Sequence, residues 1–422
     1  MALPGISNAD SNSILRKTYA DSIKTLLYGD DSRFLLGALK KTIGGGESFT
    51  VPLTYGGQPG RSKSFASALA NRGLSKKVKF SMDWTEDFVQ AIVNNSMVSL
   101  SKGVGAVVNL KMAEIKNATE TLANSIEHSL IRSGYNEIGQ ILSITGGSNN
   151  IVTLASRNDV NIVDVAQSHV AAASLASASL KAPTVPPVVT AVDRDAGTIT
   201  YAASVLGGTP WVVGDFLFQA GDKVDAGTLS CFGLGAWLPL VAPSGIDIGG
   251  VDRSQAPQQL AGVRVDGRGK SAKEAIFDLV TRIGDAGGKG DIVLATNDFV
   301  GRVCKEVEGT TVYSKVPAQD ADGPIAGIMY ETVVINGPKG PFKLKGSPFM
   351  YADRIFGLTL DTWEMRIAPE GTSKDPIFNG TYCSTNSPMI DDPATDSQIA
   401  RLKALFLLVC NAPQKNGVSQ IA

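Results

Sequence analysis

Between Ser48 and Met82 the chain carries six basic residues, Arg61, Lys63, Arg72, Lys76, Lys77 and Lys79, and no acidic one. Phe49 to Tyr55 alternates like a strand, Gly56-Gly57-Gln58-Pro59-Gly60 excludes regular structure, and Val78 to Met82 reads as a returning strand. A two-stranded, glycine-rich hairpin cannot bury a core by itself. It must lie on something, and an unbalanced basic surface lies most readily on an acidic one. An ordinary solvated hairpin is the plainer alternative. A nucleic-acid arm is a third, but no Trp or Tyr interleaves the positive run to stack on bases.

The remaining composition narrows the partners. With 39 basic and 40 acidic residues the formal net charge is -1, so no global field draws the chain to nucleic acid or to an anionic membrane. At 422 residues two or three domains are expected, and 45 Gly with 20 Pro imply much turn and extended structure. Cys231, Cys304, Cys383 and Cys410 form no CxxC pair, and only His128 and His169 could join them, so no zinc site is expected and the thiols read as reduced and buried. The first residues show no basic-then-apolar signal pattern, and the longest strongly apolar stretch, Ala404 to Cys410, is far short of a membrane span. A chain made in the cytosol is expected.

Along the chain, residues 1–40 read as an arm with helical pieces. From about Asn109 to Arg132 a long helix is expected, with Ile115, Ala118, Leu122, Ile126 and Leu130 as its apolar stripe and Ser133-Gly134 as its stop. His128 falls off that stripe and reads as a surface or contact residue. Residues 140–245 carry strand patterns joined by turns, a small β-barrel or sandwich. Asp193 and Asp195 there read as turn residues rather than a metal pair. Ala166 to Leu180 is undecided between helix and loop. From Val251 the pattern is α/β: Ser271 and Glu274 form a capping box, Asp291 to Leu294 is a buried strand, and Asn297 caps a further helix. Ala404 to Cys410 reads as one buried strand or a short helix.

One motif invites an enzymatic reading. Val263 to Ser271 runs strand, Gly269-Lys270-Ser271, helix, which is the setting of a phosphate-binding loop. The first glycine of that motif would fall where Arg264 stands, so the backbone cradle is incomplete, and a capped surface helix is the plainer account. With two histidines and no nucleophile elbow, there is no positive case for catalysis.

Taken in order, these parts resemble the major capsid proteins of tailed bacteriophages, with the Hong-Kong-97-type fold that encapsulins share. The resemblance rests on Glu47 to Gly56, Gly60 to Phe65 and Lys76 to Phe80 as an extended loop, and on Asn109 to Arg132 as a spine helix. Val192 to Thr200, Gly235 to Pro239 and Gly250 to Ser254 are similar to stretches of capsid proteins with an inserted β-domain. The fold so implied is α+β: an N-terminal arm (1–42), an extended β-hairpin loop (43–82), a peripheral domain with the spine helix (83–139), an inserted β-rich domain (140–248), and an axial domain returning to the peripheral one (249–422). The function implied is self-assembly into an icosahedral head around a DNA genome. Arg61, Lys63, Phe65, Arg72, Lys76, Lys77 and Lys79 would make the inter-subunit contacts. The partners implied are copies of itself in hexamers and pentamers, a separate scaffolding protein, a portal, possible decoration proteins and non-specifically contacted DNA, with no cofactor and no membrane. An encapsulin-type compartment, another virion part and a nucleotide-binding enzyme using Gly269-Lys270-Ser271 stay open as alternatives. Lys63 lacks a marked partner Asn, so non-covalent packing rather than crosslinking is expected.

Overall fold

The computed structural model describes residues 32–46, 48–95, 110–146, 150–176, 179–181, 187–206, 208–224, 227–228, 231–245, 248–308, 319–320, 323–324, 333–337, 339–367, 377–379, 390–391 and 395–421. The expected helical pieces before residue 32 lie outside them. The chain divides into two compact units: residues 1–27, 88–122 and 379–403 form one, and residues 28–87, 123–378 and 404–422 the other.

In chain order the elements used below are α1 (Phe34–Ala38), β1 (Lys40–Ile43), β2 (Ser48–Gly56), α2 (Phe65–Ala70), β3 (Lys76–Asp83), β4 (Thr85–Asn94) and α3 (Leu110–Ile131). Next come β5 (Gly139–Thr145), β6 (Ile151–Leu154), β7 (His169–Ala172), β8 (Val189–Asp193), β9 (Thr198–Tyr201) and β10 (Phe216–Gln219). The last are β11 (Val263–Asp266), α4 (Ala272–Asp285), β12 (Ile292–Ala295), α5 (Asn297–Glu308), β13 (Val333–Gly337), β14 (Gly340–Gly346), β15 (Arg354–Leu358), β16 (Trp363–Ile367), β17 (Ser397–Cys410) and β18 (Gly417–Gln420). The mixed α+β class is as expected.

In the first unit, β4 pairs with β17. Asn95 continues that pairing, its side-chain amide donating to Asp396 at 2.8 Å. The predicted Ala404–Cys410 segment is strand, not helix, and it is the buried end of the 14-residue β17. Antiparallel pairing of Trp363–Ile367 with Cys410–Phe406 decides this, because a helix would leave the ladder of β16 unpaired.

Strands β5 to β10 make one antiparallel sheet in the order β7-β10-β5-β6-β9-β8. A bridge between Ser168 and Val188 joins its two edges, so the sheet closes into a barrel. Val152, Ile199, Val205, Trp211 and Leu217 fill the interior, and the Tyr201 ring meets Trp211 edge-on at 5.3 Å. The undecided 166–180 segment supplies β7. Asp193 accepts from the amides of Asp195 and Ala196, the turn role expected of it.

The C-terminal sheet runs β11-β18-β15-β12-β14-β13, parallel at β11/β18 and β12/β14 and antiparallel elsewhere. Ile276, Leu279, Val280 and Ile283 of α4, with Phe299 and Val303 of α5, cover it. The capping box of Ser271 and Glu274 is present. One expected cap differs. Thr296, not Asn297, caps α5: its Oγ1 accepts from the amide of Phe299, which places Asn297 in the first turn.

Helix α3 has 22 residues, about 33 Å of rod. Ala118, Leu122, Ile126 and Leu130 are buried as the stripe predicts. The reading of His128 as a surface residue is wrong. It is 2% exposed and its Nδ1 lies 3.0 Å from the Asn136 carboxamide oxygen. From Ile126 to Arg132 every residue is buried, so Glu127, Ser129 and Arg132 are enclosed as well. A single amphipathic stripe describes only a helix that keeps one side in water.

Candidate inter-subunit surface

Strands β2 and β3 pair antiparallel from Ser48↔Asp83 to Thr54↔Lys77, with a bulge before Gly56↔Lys76. Period-two alternation then sorts the side chains. Val51, Phe80 and Met82 are buried on one face, while Thr50, Pro52, Thr54, Lys77, Lys79 and Ser81 are exposed on the other. The hairpin root therefore does lie on something, and it is this chain's own body. The Phe80 ring sits 5.2 Å from that of Trp237, the Arg366 guanidinium lies 4.3 Å over Phe49, and Tyr55 donates to Gln255 at 2.7 Å. Gly249, with φ +62°, lets the backbone pass Phe80, since a Cβ there would come within 3.1 Å of the ring.

Beyond Gly56 the hairpin changes character. It narrows where Pro59 and Gly60 pass Arg72 and Gly73; a Cβ on Gly73 would meet Pro59 at 2.8 Å. Between them Ser64 precedes the short helix α2 without capping it by its side chain, and no residue of α2 is buried. Phe65 is 82% exposed and Leu74 87%. Arg61, Lys63, Arg72, Lys76, Lys77 and Lys79 are all exposed, and among the described residues none of them makes an ion pair. All seven expected contact residues thus share one hairpin: Arg61, Lys63, Phe65 and Arg72 on its distal part, Lys76 at the joint, and Lys77 and Lys79 on the outer face of the root.

Two residues of this surface escape the sequence reading. Leu69, 50% exposed, stands one helical turn after Phe65, and Leu74 follows the helix. The Phe65/Leu69 spacing of four was the available signal, hidden because glycines on either side suggest no regular structure.

A second cluster lies around the C-terminal turns of α3. Burial is the largest influence on Glu127 and pushes its carboxyl up to about 7. Its two oxygens accept from the amides of Leu35 and Leu36 at 2.9 and 2.8 Å, so this side chain caps α1. Burial, then the nearby Arg132, drives the His128 imidazole down to about 3. Arg132 donates to Asp159 at 2.9 Å and lies over the Tyr351 ring, and Tyr351 donates to Glu137 at 2.6 Å. Asn136 donates to Asp222, whose carboxyl burial raises to about 7. Most polar atoms here partner one another, as buried polar groups must, while His128 Nε2 and Arg132 Nε are buried without a hydrogen-bond partner among the described residues.

The Gly269-Lys270-Ser271 segment does enter a helix, but the helix start is occupied. Both oxygens of Glu306, from α5, accept the amides of Ala272 and Lys273 at 2.9 and 2.8 Å. Lys270 reaches Asp278 at 2.6 Å instead of pointing at a phosphate position. A carboxylate already sits where an anionic ligand would have to bind. Among the described residues no group of three or more His, Cys, Asp or Glu could hold a metal ion, and no helix is long and apolar enough to cross a membrane.

No family model and no curated protein matches this sequence. Among solved structures, a chain of the cyanophage A-1(L) capsid asymmetric unit matches with a TM-score of 0.57 at 12% identity, over 98% of this chain and 99% of that one. The capsid of a native GTA particle matches at 0.48 and 10% identity, over all of both chains. The SrpI encapsulin of Synechococcus elongatus PCC 7942 matches at 0.46 and 9%, over 99% of this chain and 96% of that one. Only the first likeness is close enough to bear on the fold, and it is a likeness end to end. In fold, the chain is similar to a chain of this cyanophage capsid.

Proposed function

We propose that this chain is the major capsid protein of a tailed phage, and that it assembles with its own copies into an icosahedral head that holds DNA. The observation that carries the reading is the distal hairpin: a basic arm with Phe65 and Leu74 almost wholly in water, held out by a root that is firmly packed. Apolar groups presented this way are stabilised by burial in a neighbour, and six cations without an ion pair among the described residues favour an acidic neighbour over solvent. In this reading the hairpin is the extended loop, α3 the spine helix of a peripheral domain, the β5–β10 barrel an inserted domain, and the C-terminal sheet the axial domain. Heterologous contacts repeated by the hairpin close into rings, hexamers and pentamers, and then a shell. Scaffolding, portal and decoration proteins belong to the same proposal as separate chains, and the protein's place is the virion. Its role is mechanical rather than catalytic.

Electron microscopy of the full chain expressed alone, with sedimentation, tests the reading. Closed shells or capsomer rings are expected. Bulk DNA in particles from infected cells distinguishes a phage head from a cellular compartment. A chain that stays monomeric at all concentrations, with or without its scaffold, refutes the proposal.

A further inference from the structure

Helix α1 is a single turn, and Arg33 before it supplies no side-chain cap. A turn this short does not stand without outside help. Glu127 of α3 provides it, accepting the amide of Leu35 on one carboxylate oxygen and that of Leu36 on the other. Arg33 donates to the Asn124 carboxamide oxygen at 3.4 Å, and Leu35 and Leu39 are buried. From there β1 runs along one edge of β16, parallel to it, from Lys40↔Glu364 to Ile43↔Ile367. Thr42 donates to Glu364. No residue of β1 is buried. The strand ends at Gly44-Gly45-Gly46, where the Gly44 amide donates to Ile367 at 2.9 Å. Gly46, with φ +111°, turns the chain toward the hairpin, and the Trp84 indole pins its carbonyl at 2.8 Å. Three successive glycines give the backbone the freedom of a hinge.

We propose that residues 33–43 are a strap that swings open about Gly44-Gly45-Gly46, and that Glu127 is its proton-controlled latch. The strap is anchored by two leucines, one capped turn and a four-residue edge strand, which places it at the low-stability end of the fold. Closing it buries Glu127 against the two amides, and opening it returns the carboxyl to water. Burial is the largest influence on that carboxyl and raises it from 4.5 to about 7, while the two amides and then Arg33 pull the other way. The neighbouring charges are otherwise engaged: His128 is turned to Asn136, and Arg132 to Asp159. The closed strap therefore holds the Glu127 proton more tightly than the open one. Below pH 4.5 the latch is fully set, and between 4.5 and 7 each unit rise favours opening by up to about tenfold. Opening uncovers the edge of β16 opposite β17, whose ladder groups another strand can then pair.

Hydrogen exchange of the full chain, read by mass spectrometry at about pH 5 and about pH 7 and corrected for the intrinsic rate, tests this. Protection of residues 33–43 is expected to fall by about tenfold or more from the lower pH to the higher. Strand β2, beyond the glycines, and the barrel strands β5 and β6 are expected to keep theirs. Glu127→Gln, which carries no charge at either pH, is expected to abolish the difference in the strap. Equal strap protection at the two pH values overturns the proposal, as does a difference that survives Glu127→Gln. A parallel loss in β2 or in the barrel also overturns it, because the strap would then open only with the body. Neither shells nor DNA enter the readout, so the outcome stands apart from the capsid proposal.

Discussion

The ring of Phe80 meets the indole of Trp237 with centroids 5.2 Å apart, and both side chains are fully buried. Trp237 passes the contact on, edge to face, to Trp363 at 6.4 Å, and Trp363 donates to the buried Asn416 at 2.9 Å. The root of an otherwise exposed arm is thus tied to the aromatic centre of the body. The arm can be displayed without the body paying in stability, because the buried and exposed parts of one hairpin are separated along its length.

Truncation of that anchor is expected to be costly. Phe80→Ala removes a fully buried ring beside Trp237 and should lower stability by about 3–5 kcal/mol. Urea denaturation of the unassembled chain measures it. A loss under about 1 kcal/mol, the scale of an ordinary surface or small-core change, would mean that the root is not anchored as described.

The arm itself should behave in the opposite way. Phe65→Ser with Leu74→Ser, or Lys76, Lys77 and Lys79 all changed to Glu, touch only exposed positions. Stability is expected to stay within about 0.5 kcal/mol of the parent, while sedimenting assemblies disappear. For the charge-reversed chain the loss should track an electrostatic contact, so assembly of the parent is expected to weaken as salt rises. Normal assembly by either variant removes the hairpin from the interface.

Glu127 and His128 should give stability opposite dependences on pH. Glu127 is raised from 4.5 to about 7, so the folded chain holds its proton more tightly; its contribution is complete below 4.5 and is lost as pH rises toward 7. His128 is lowered from 6.5 to about 3, so the folded chain resists protonation there; stability falls as pH drops from 6.5 toward 3. Between 4.5 and 6.5 the two slopes oppose each other. Glu127→Gln is expected to leave a curve that climbs with pH across that window, and His128→Asn one that climbs less or falls. Urea midpoints at half-unit pH steps check the signs. Unchanged slopes in both variants would show that neither group is buried as described.

The Gly269-Lys270-Ser271 segment should prove structural. Lys270→Ala removes an exposed ion pair to Asp278 and is expected to change stability by less than about 1 kcal/mol. Glu306→Ala uncovers the amides of Ala272 and Lys273 and should cost about 1–2 kcal/mol, the value of a lost helix cap. Thermal unfolding ranks them, and equal effects would contradict the capping role. Titration of the parent with ATP and Mg²⁺ should show no binding, and saturable binding would reopen the nucleotide reading.

Much of the fold is legible because it is written in short-range pattern. The alternation of Phe49–Tyr55 and Val78–Met82 announces a hairpin, Ser271 and Glu274 announce a helix start, and the 3.6-residue stripe of α3 marks its length to within a residue at either end. The seven contact candidates are legible for the same reason, since a run with cations and no carboxylate is a local fact. Burial imposed from a distance is not. His128 and Glu127 look like one polar side of an amphipathic rod until Asn136 and the amides of α1 close over them. Thr296 and Asn297 are both good caps, and only the backbone path decides between them.

By itself the sequence determined the types of the strongly patterned elements, the Ser271–Glu274 helix start, the basic hairpin and the neutral overall charge, because those follow from neighbours within a few residues of one another. The tertiary structure decided which half of the hairpin is held and which half is offered, that Glu306 fills the helix start the Gly-Lys-Ser segment leads into, and that the six strands from β5 to β10 close into a barrel. Each of these depends on groups tens to hundreds of residues apart being brought within hydrogen-bond or van der Waals reach. Such contacts are set by the summed packing of the whole chain, and no local pattern encodes that sum.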